Sequence, residues 1–359
     1  MAFPGPTRDL LELDGSHGEG GGQILRTALT LSLVTGRPFR LAKIRAKRKP
    51  PGLRPQHLAC VRGAEAVSAS SSEGAARGAS ELVFRPGPVK PGEYVLDVGT
   101  AGSTTLLLQC LFFPLALAGG GQLVLRGGTH VPKSPPYHYL SWVWLPVMSA
   151  YGLHGKLQLR YAGFHPAGAG EFRAIISPNN LPPNRVDLPT RGTLRDVQVT
   201  SFVAGLPLEI AERQGRAAVV ALRARGILSD AENLPLPSTR SQGTAVFILA
   251  EFENTLAGFS ALGAKGRQAE LVGREAADAL ARFMESGGVV DTHLGDQLLL
   301  PAALLAAGRL GPSSPATTRY VAAEVTPHLE THAWVLQQFL PVAIDVTPAG
   351  EVTVGPRAG

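Results

Sequence analysis

The sequence predicts an α/β (α+β) protein built from three copies of one two-helix, small-sheet unit, with a smaller α/β domain inserted. Three observations carry this prediction. A helix that stops at glycine and hands on to a strand occurs three times. The second helix of each copy starts about 33 residues after the first, a regularity expected of internal repeats. One stretch between copies has its own order of elements.

From Gly22, GQILRTALTLSLVTG carries apolar residues at helical spacing, and RPFRLAKIR follows as a strand. From Gly102, GSTTLLLQCLFFPLALAGG repeats the helix and QLVLRGG the strand; from Asp291, DTHLGDQLLLPAALLAAG and RYVAAEVT do so again. Each copy then turns at proline into a second helix: RPQHLACVRGAEAVSA, SPPYHYLSWVWLPVMSAYG or TPHLETHAWVLQQF. The alternating runs YVLDVG, LQLRYAG and VAIDVT are expected to close the units as strands. After the turn-rich SPNNLPPNRVDLP come a strand (LRDVQVTSFVAG), an amphipathic helix (LEIAERQGRAAVVALRARG) and a strand (TAVFILAEFE). This predicts an inserted domain over 186–270 and a three-copy body over 1–185 and 271–359. QAELVGREAADALARFMES is expected to return as a helix of that body.

Of the 359 residues, 44% are hydrophobic and 17% charged, a globular balance that excludes a disordered chain. The most apolar run, LLLQCLFFPLALAGGG, carries Gln109 and Pro114 and reads as a buried helix, not a membrane span. MAFPGPTRDLLELDG lacks the basic start and apolar core of a signal peptide, so a soluble, cytoplasmic protein is expected. Cys60 and Cys110 give neither a disulfide framework nor a metal spacing.

GSHGEGGGQILRTALTL poses a chemical conflict. A glycine-rich turn entering a helix favours anions, because bare N–H groups and the helix N-terminus face them. Yet Glu19 stands among these glycines, and a carboxylate repels phosphate. A cation between the two would resolve it. The net charge of +6 permits nucleic-acid contact without requiring it. In IRAKRKPPGLRPQH, Arg45, Lys47, Arg48, Lys49 and Arg54 cluster on a proline-stiffened segment, readable as a solvated loop or as phosphate ligands.

If the copies surround one centre, their turns bring together Glu19, Arg26, Gln109, Asp296, Gln297 and His328, with Arg45, Arg48, Gln56 and His57 on the basic connection. No Walker-type P-loop is present. His328 and His332, one turn apart, could bind zinc, but the order departs from H-E-x-x-H and no third ligand follows. His328 could equally be a core histidine. The third reading is a nucleophile: an imidazole with an unperturbed pKa of about 6.5 is largely neutral at pH 7 and can form a phosphoramidate.

The segments GEGGGQILR, IRAKRKPPGLRPQH, TAGSTTLLLQ, GDQLLLPAAL and TPHLETH, in this order over nearly the whole chain, resemble the RNA 3′-terminal phosphate cyclases. The resemblance implies a three-repeat body, shared with the enolpyruvyl transferases, and an inserted smaller domain. It implies the ATP-dependent conversion of an RNA 3′-phosphate to a 2′,3′-cyclic phosphate, with RNA and ATP as partners and Mg2+ or Mn2+ as cofactor. His328 matches the histidine that becomes adenylylated, and Glu19 the residue that holds the metal beside the triphosphate. Arg26, Gln109, Asp296 and Gln297 match nucleotide-binding positions, and Arg45, Arg48, Gln56 and His57 match polar residues required for activity, through phosphate contacts. His293 stands where relatives carry an aromatic residue near the adenine. The glycine-rich P-x-G-G-G turn appears as HPAGAG, with Ala169 in place of the middle glycine. The oligomeric state stays open, a homodimer included. Non-catalytic cyclase-like proteins of ribosome assembly are the alternative; they lack the histidine that this chain retains.

Overall fold

The computed structural model describes residues 10–183, 187–311 and 315–357. It has the mixed α/β architecture that the sequence predicts. The first sheet contains β1 (Leu11–Asp14), β2 (Phe39–Ala42), β3 (Ser71–Glu73) and β4 (Leu82–Arg85) in the order β1-β2-β4-β3. The first pair is parallel and the other two are antiparallel. The second sheet, β5 (Glu93–Asp97), β6 (Gly121–Gly127), β7 (Gly155–Tyr161) and β8 (Gly170–Ile176), repeats that order and those directions.

The third sheet opens with the two-residue strand β9 (Asp187–Leu188) and then departs into a different sheet. This consists of β10 (Leu194–Ala204), β11 (Asp230–Pro235), β12 (Gly243–Phe252) and β13 (Leu256–Leu262), ordered β11-β10-β12-β13. The chain then returns through β14 (Thr318–Val321), β15 (Val342–Val346) and β16 (Glu351–Pro356). Order and directions match the other two units, with β9 parallel to β14.

Each unit places its first helix between its first two strands. These are α1 (Gln23–Thr35), α3 (Thr104–Leu117), and a broken pair, α8 (Thr292–Gln297) and α9 (Leu299–Ala306). The second helices are α2 (Pro55–Ala66), the run α4 (Tyr137–Tyr139), π-helical Leu140–Trp144 and α5 (Leu145–Ser149), and α10 (Pro327–Phe339). Local chemistry sets the ends. Gly36 stops α1 in the left-handed conformation, φ 70°, and donates back to the Ser32 carbonyl. Ser103 and Thr326 cap α3 and α10 by accepting the Leu106 and Leu329 N–H groups. α1 and α3 are largely buried, and every residue of α9 is. They form the centre on which α2, α10 and the sheets pack.

Three expectations need correction. YVLDVG forms β5, which opens the second sheet and does not close the first unit. The helix expected to return to the main body, α7 (Ala269–Glu285), packs instead on α6 (Leu208–Arg223), β12 and β13. Its amphipathic face supplies Val272, Ala276, Leu280 and Phe283 to a separate core with Val199, Val246 and Ile248. The inserted unit therefore extends beyond 270. Its expected start at 186 lies outside the described residues, and Asp187 and Leu188 pair with the third sheet. No helix among the described residues is long and apolar enough to cross a membrane.

Candidate active site

The turns of the three units line one cleft of roughly 1370 Å³. The first wall is the glycine turn before α1. Gly18 and Gly20 have φ of 52° and 62°, which glycine adopts without steric cost. A Cβ at Gly18 would collide with Thr331, and one at Gly22 with the His57 ring. The turn is fastened to α10 in two ways: the Glu19 N–H donates to Thr331 Oγ1 (3.1 Å), and His17 stacks on Trp334 with centroids 4.0 Å apart. Glu19 is thereby held opposite His328.

At the centre, His328 sits in the first turn of α10, its side chain half exposed to the cleft. Its Nδ1 lies 3.0 Å from Gln23 Oε1. Gln23 Nε2 in turn donates to Asp296 Oδ1 (2.7 Å), and His332 Nδ1 donates to the same oxygen (2.8 Å) and to the Asp296 carbonyl (3.0 Å). Burial works to raise the Asp296 carboxyl, but the His332 charge and hydrogen bond and the Gln23 amide outweigh it and lower it. An ionised carboxylate only accepts, so the Gln23 amide must turn its carbonyl to His328. Burial, together with Arg26 and Arg48 and against the pull of Asp296, lowers the His328 pKa. The ring is neutral at pH 7.

Glu19 Oε1 pairs with Arg48, and Oε2 lies 2.9 Å from His328 Nδ1. That oxygen is buried yet accepts no hydrogen bond. An orphaned hard oxygen facing a polar cleft fits a small divalent cation. Magnesium sites commonly use one or two carboxylates and complete their shell with substrate phosphates and water. The zinc pair considered from the sequence fares differently. His328 and His332 direct Nδ1 to different acceptors, and among the described residues no three His, Cys, Asp or Glu side chains are grouped for a metal.

The cleft also gathers the remaining candidates. Gln109 Nε2 donates to Gln297 Oε1 (2.9 Å), joining the second unit to the third. Arg26, Gln56 and His293 line the same space, with His293 edge-on to Tyr139. Arg48 lines it too, and pairs there with Glu19. Arg45, at φ 52°, directs Nη1 to the carbonyls of Pro50 (3.0 Å) and Gly52 (2.9 Å), so it braces its own loop. His57 is buried; its Nδ1 accepts the Arg54 N–H (3.0 Å) at the start of α2. Burial and the charges of Arg26, Arg45 and Arg54 press its pKa down to about 3, so it enters the cleft as a neutral ring.

Sequence reasoning passed over two contributions. Gln23 lies inside the segment GEGGGQILR without an assigned role there; its contact with Asp296 reveals one. The inserted unit supplies a further wall, Ser260–Ala264 with Arg267.

The family model for RNA 3′-terminal phosphate cyclase matches residues 17–346. Among similar chains, an RNA 3′-terminal phosphate cyclase of Methylococcus capsulatus is 41% identical, covering 94% of this chain and 93% of its own length. Those of Ralstonia nicotianae and Caldivirga maquilingensis are each 39% identical, covering 96% and 94% of this chain and 95% and 94% of their own. Fold, cleft and kinship agree, and the chain belongs to the RNA 3′-terminal phosphate cyclase family.

Proposed function

We propose that the protein uses ATP to convert the 3′-terminal phosphate of RNA into a 2′,3′-cyclic phosphate through an AMP adduct on His328. The observation that carries this reading is the contact of that ring's Nδ1 with Gln23 Oε1 at 3.0 Å. With Nδ1–H directed at Gln23, Nε2 keeps its lone pair, and no hydrogen bond engages it among the described residues. His328 Nε2 attacks the α-phosphorus of ATP. The N–P bond forms, the bond to the β-phosphate oxygen breaks, and its electron pair leaves with pyrophosphate. The ring, still protonated at Nδ1, becomes cationic; Gln23 accepts that proton and the Asp296 charge favours the cation.

A terminal phosphate oxygen of the RNA next displaces the histidine and takes the AMP as an anhydride. The adjacent 2′-oxygen then attacks the RNA phosphorus, losing its proton and expelling AMP. Because that last attack is intramolecular, positioning alone supplies much of its rate. Glu19 would hold the divalent cation, Mg2+ or Mn2+, which when bound supplies positive charge beside the triphosphate. Arg26, Gln109, Asp296, Gln297 and His293 are proposed to bind the nucleotide, and Arg48, Gln56 and His57, with the loop that Arg45 braces, the RNA phosphate.

The test is an oligoribonucleotide with a 3′-phosphate, incubated with ATP and magnesium. The terminal phosphate is expected to become resistant to phosphatase, and a 2′-deoxy terminus to stop at the adenylylated end. Phosphatase resistance acquired without ATP would contradict the proposal.

A further inference from the structure

The contact network around His328 has a consequence that rests on its reading as the nucleophile. Free histidine prefers the tautomer protonated at Nε2, and that form has no lone pair to offer the cleft from Nε2. Here the preference is reversed by a short chain of fixed polarity. Asp296 Oδ1 accepts from both Gln23 Nε2 (2.7 Å) and His332 Nδ1 (2.8 Å). Since the carboxylate cannot donate, the Gln23 amide has one orientation, and its Oε1 accepts the Nδ1 proton of His328 at 3.0 Å. We infer that Gln23 is a positioning residue, which holds His328 in the Nδ1–H tautomer and aims Nε2 into the cleft, with Asp296 and His332 anchoring the amide.

An amide suits this place better than a carboxylate. It accepts the proton without bringing a charge that would protonate the second nitrogen. Glu19 Oε2 also lies near Nδ1, at 2.9 Å, but it makes no hydrogen bond there. A cation on Glu19 would occupy that carboxylate, leaving Gln23 as the acceptor. His332 completes the anchor from within the fold: it is buried, and its Nε2 has no partner.

The experiment is long-range nitrogen–proton NMR on protein carrying isotope-labelled histidine, without nucleotide, with the His328 signal assigned by its loss in His328→Gln. The wild-type ring is expected to be protonated at Nδ1. In Gln23→Met, of similar length and without hydrogen-bonding atoms, the signal is expected to move to the Nε2–H form. The rate of AMP labelling at saturating ATP should then fall roughly 10- to 100-fold, with the half-saturating ATP concentration unchanged.

A wild-type ring protonated at Nε2 overturns the inference, and needs no variant to be seen. A Gln23→Met protein that keeps the Nδ1–H form overturns it too, because Glu19 would then suffice. A tautomer that follows Gln23 in a protein never labelled by ATP upholds the role of Gln23 and refutes the proposed adduct.

Discussion

The main-chain N–H of Glu19 donates to Thr331 Oγ1 over 3.1 Å, so the glycine turn is fastened to the helix of His328 by backbone, not by the Glu19 carboxylate. One carboxylate oxygen pairs with Arg48 and the other is buried without a hydrogen bond. Glu19→Ala should therefore leave the unfolding free energy within about 0.5 kcal/mol of wild type. AMP labelling should fall by roughly 100-fold or more. Denaturant titration beside single-turnover labelling checks both; undiminished labelling at limiting magnesium would remove Glu19 from the metal.

Arg45 leads to a different expectation from the phosphate contact read in the sequence. Its two hydrogen bonds to Pro50 and Gly52 carbonyls hold a loop in which it has itself a positive φ. Arg45→Ala should cost about 1–3 kcal/mol of stability as well as weakening RNA use. If only the RNA dependence changed, with an unaltered denaturation curve, the guanidinium would be a phosphate ligand and not a brace.

How far the sequence foretold this structure varied with the range of the interactions. Caps and stops are local, and so Gly36, Ser103 and Thr326-Pro327 mark helix ends that the structure keeps. The three copies were visible because each repeats helix, glycine and strand. β9 was not: two residues have no periodicity, and their pairing with β14 crosses the whole inserted unit. The partner of α7 was equally hidden, since an amphipathic helix announces an apolar face without saying which sheet will cover it. Most site residues sit in the short segments quoted from the sequence, at or near helix starts. Gln23 escaped because its meaning lies in a hydrogen bond to Asp296, 273 residues away.

Buried histidines make stability depend on pH. Burial lowers the His130 pKa to about 3, and burial with three arginines brings His57 to about 3; burial and His130 press His138 down as well. In the unfolded chain each returns to about 6.5 and takes up protons that the folded state refuses. Their stabilising contribution is thus complete above about pH 6.5 and is lost as pH falls toward 3. Each adds a slope of about 1.4 kcal/mol per pH unit well inside that window. Denaturation midpoints measured from pH 7 to pH 5 should fall steadily; a flat profile would mean that these rings are protonated in the folded protein.

The central claim, that His328 carries AMP between ATP and RNA, is tested most directly by trapping the adduct. Protein incubated with ATP labelled at the α-phosphate should hold label that survives alkali and is lost in acid. Mass spectrometry should locate the AMP on His328, and His328→Ala should abolish it while His332→Ala should not. AMP found on another residue, or full labelling of His328→Ala, would contradict the account.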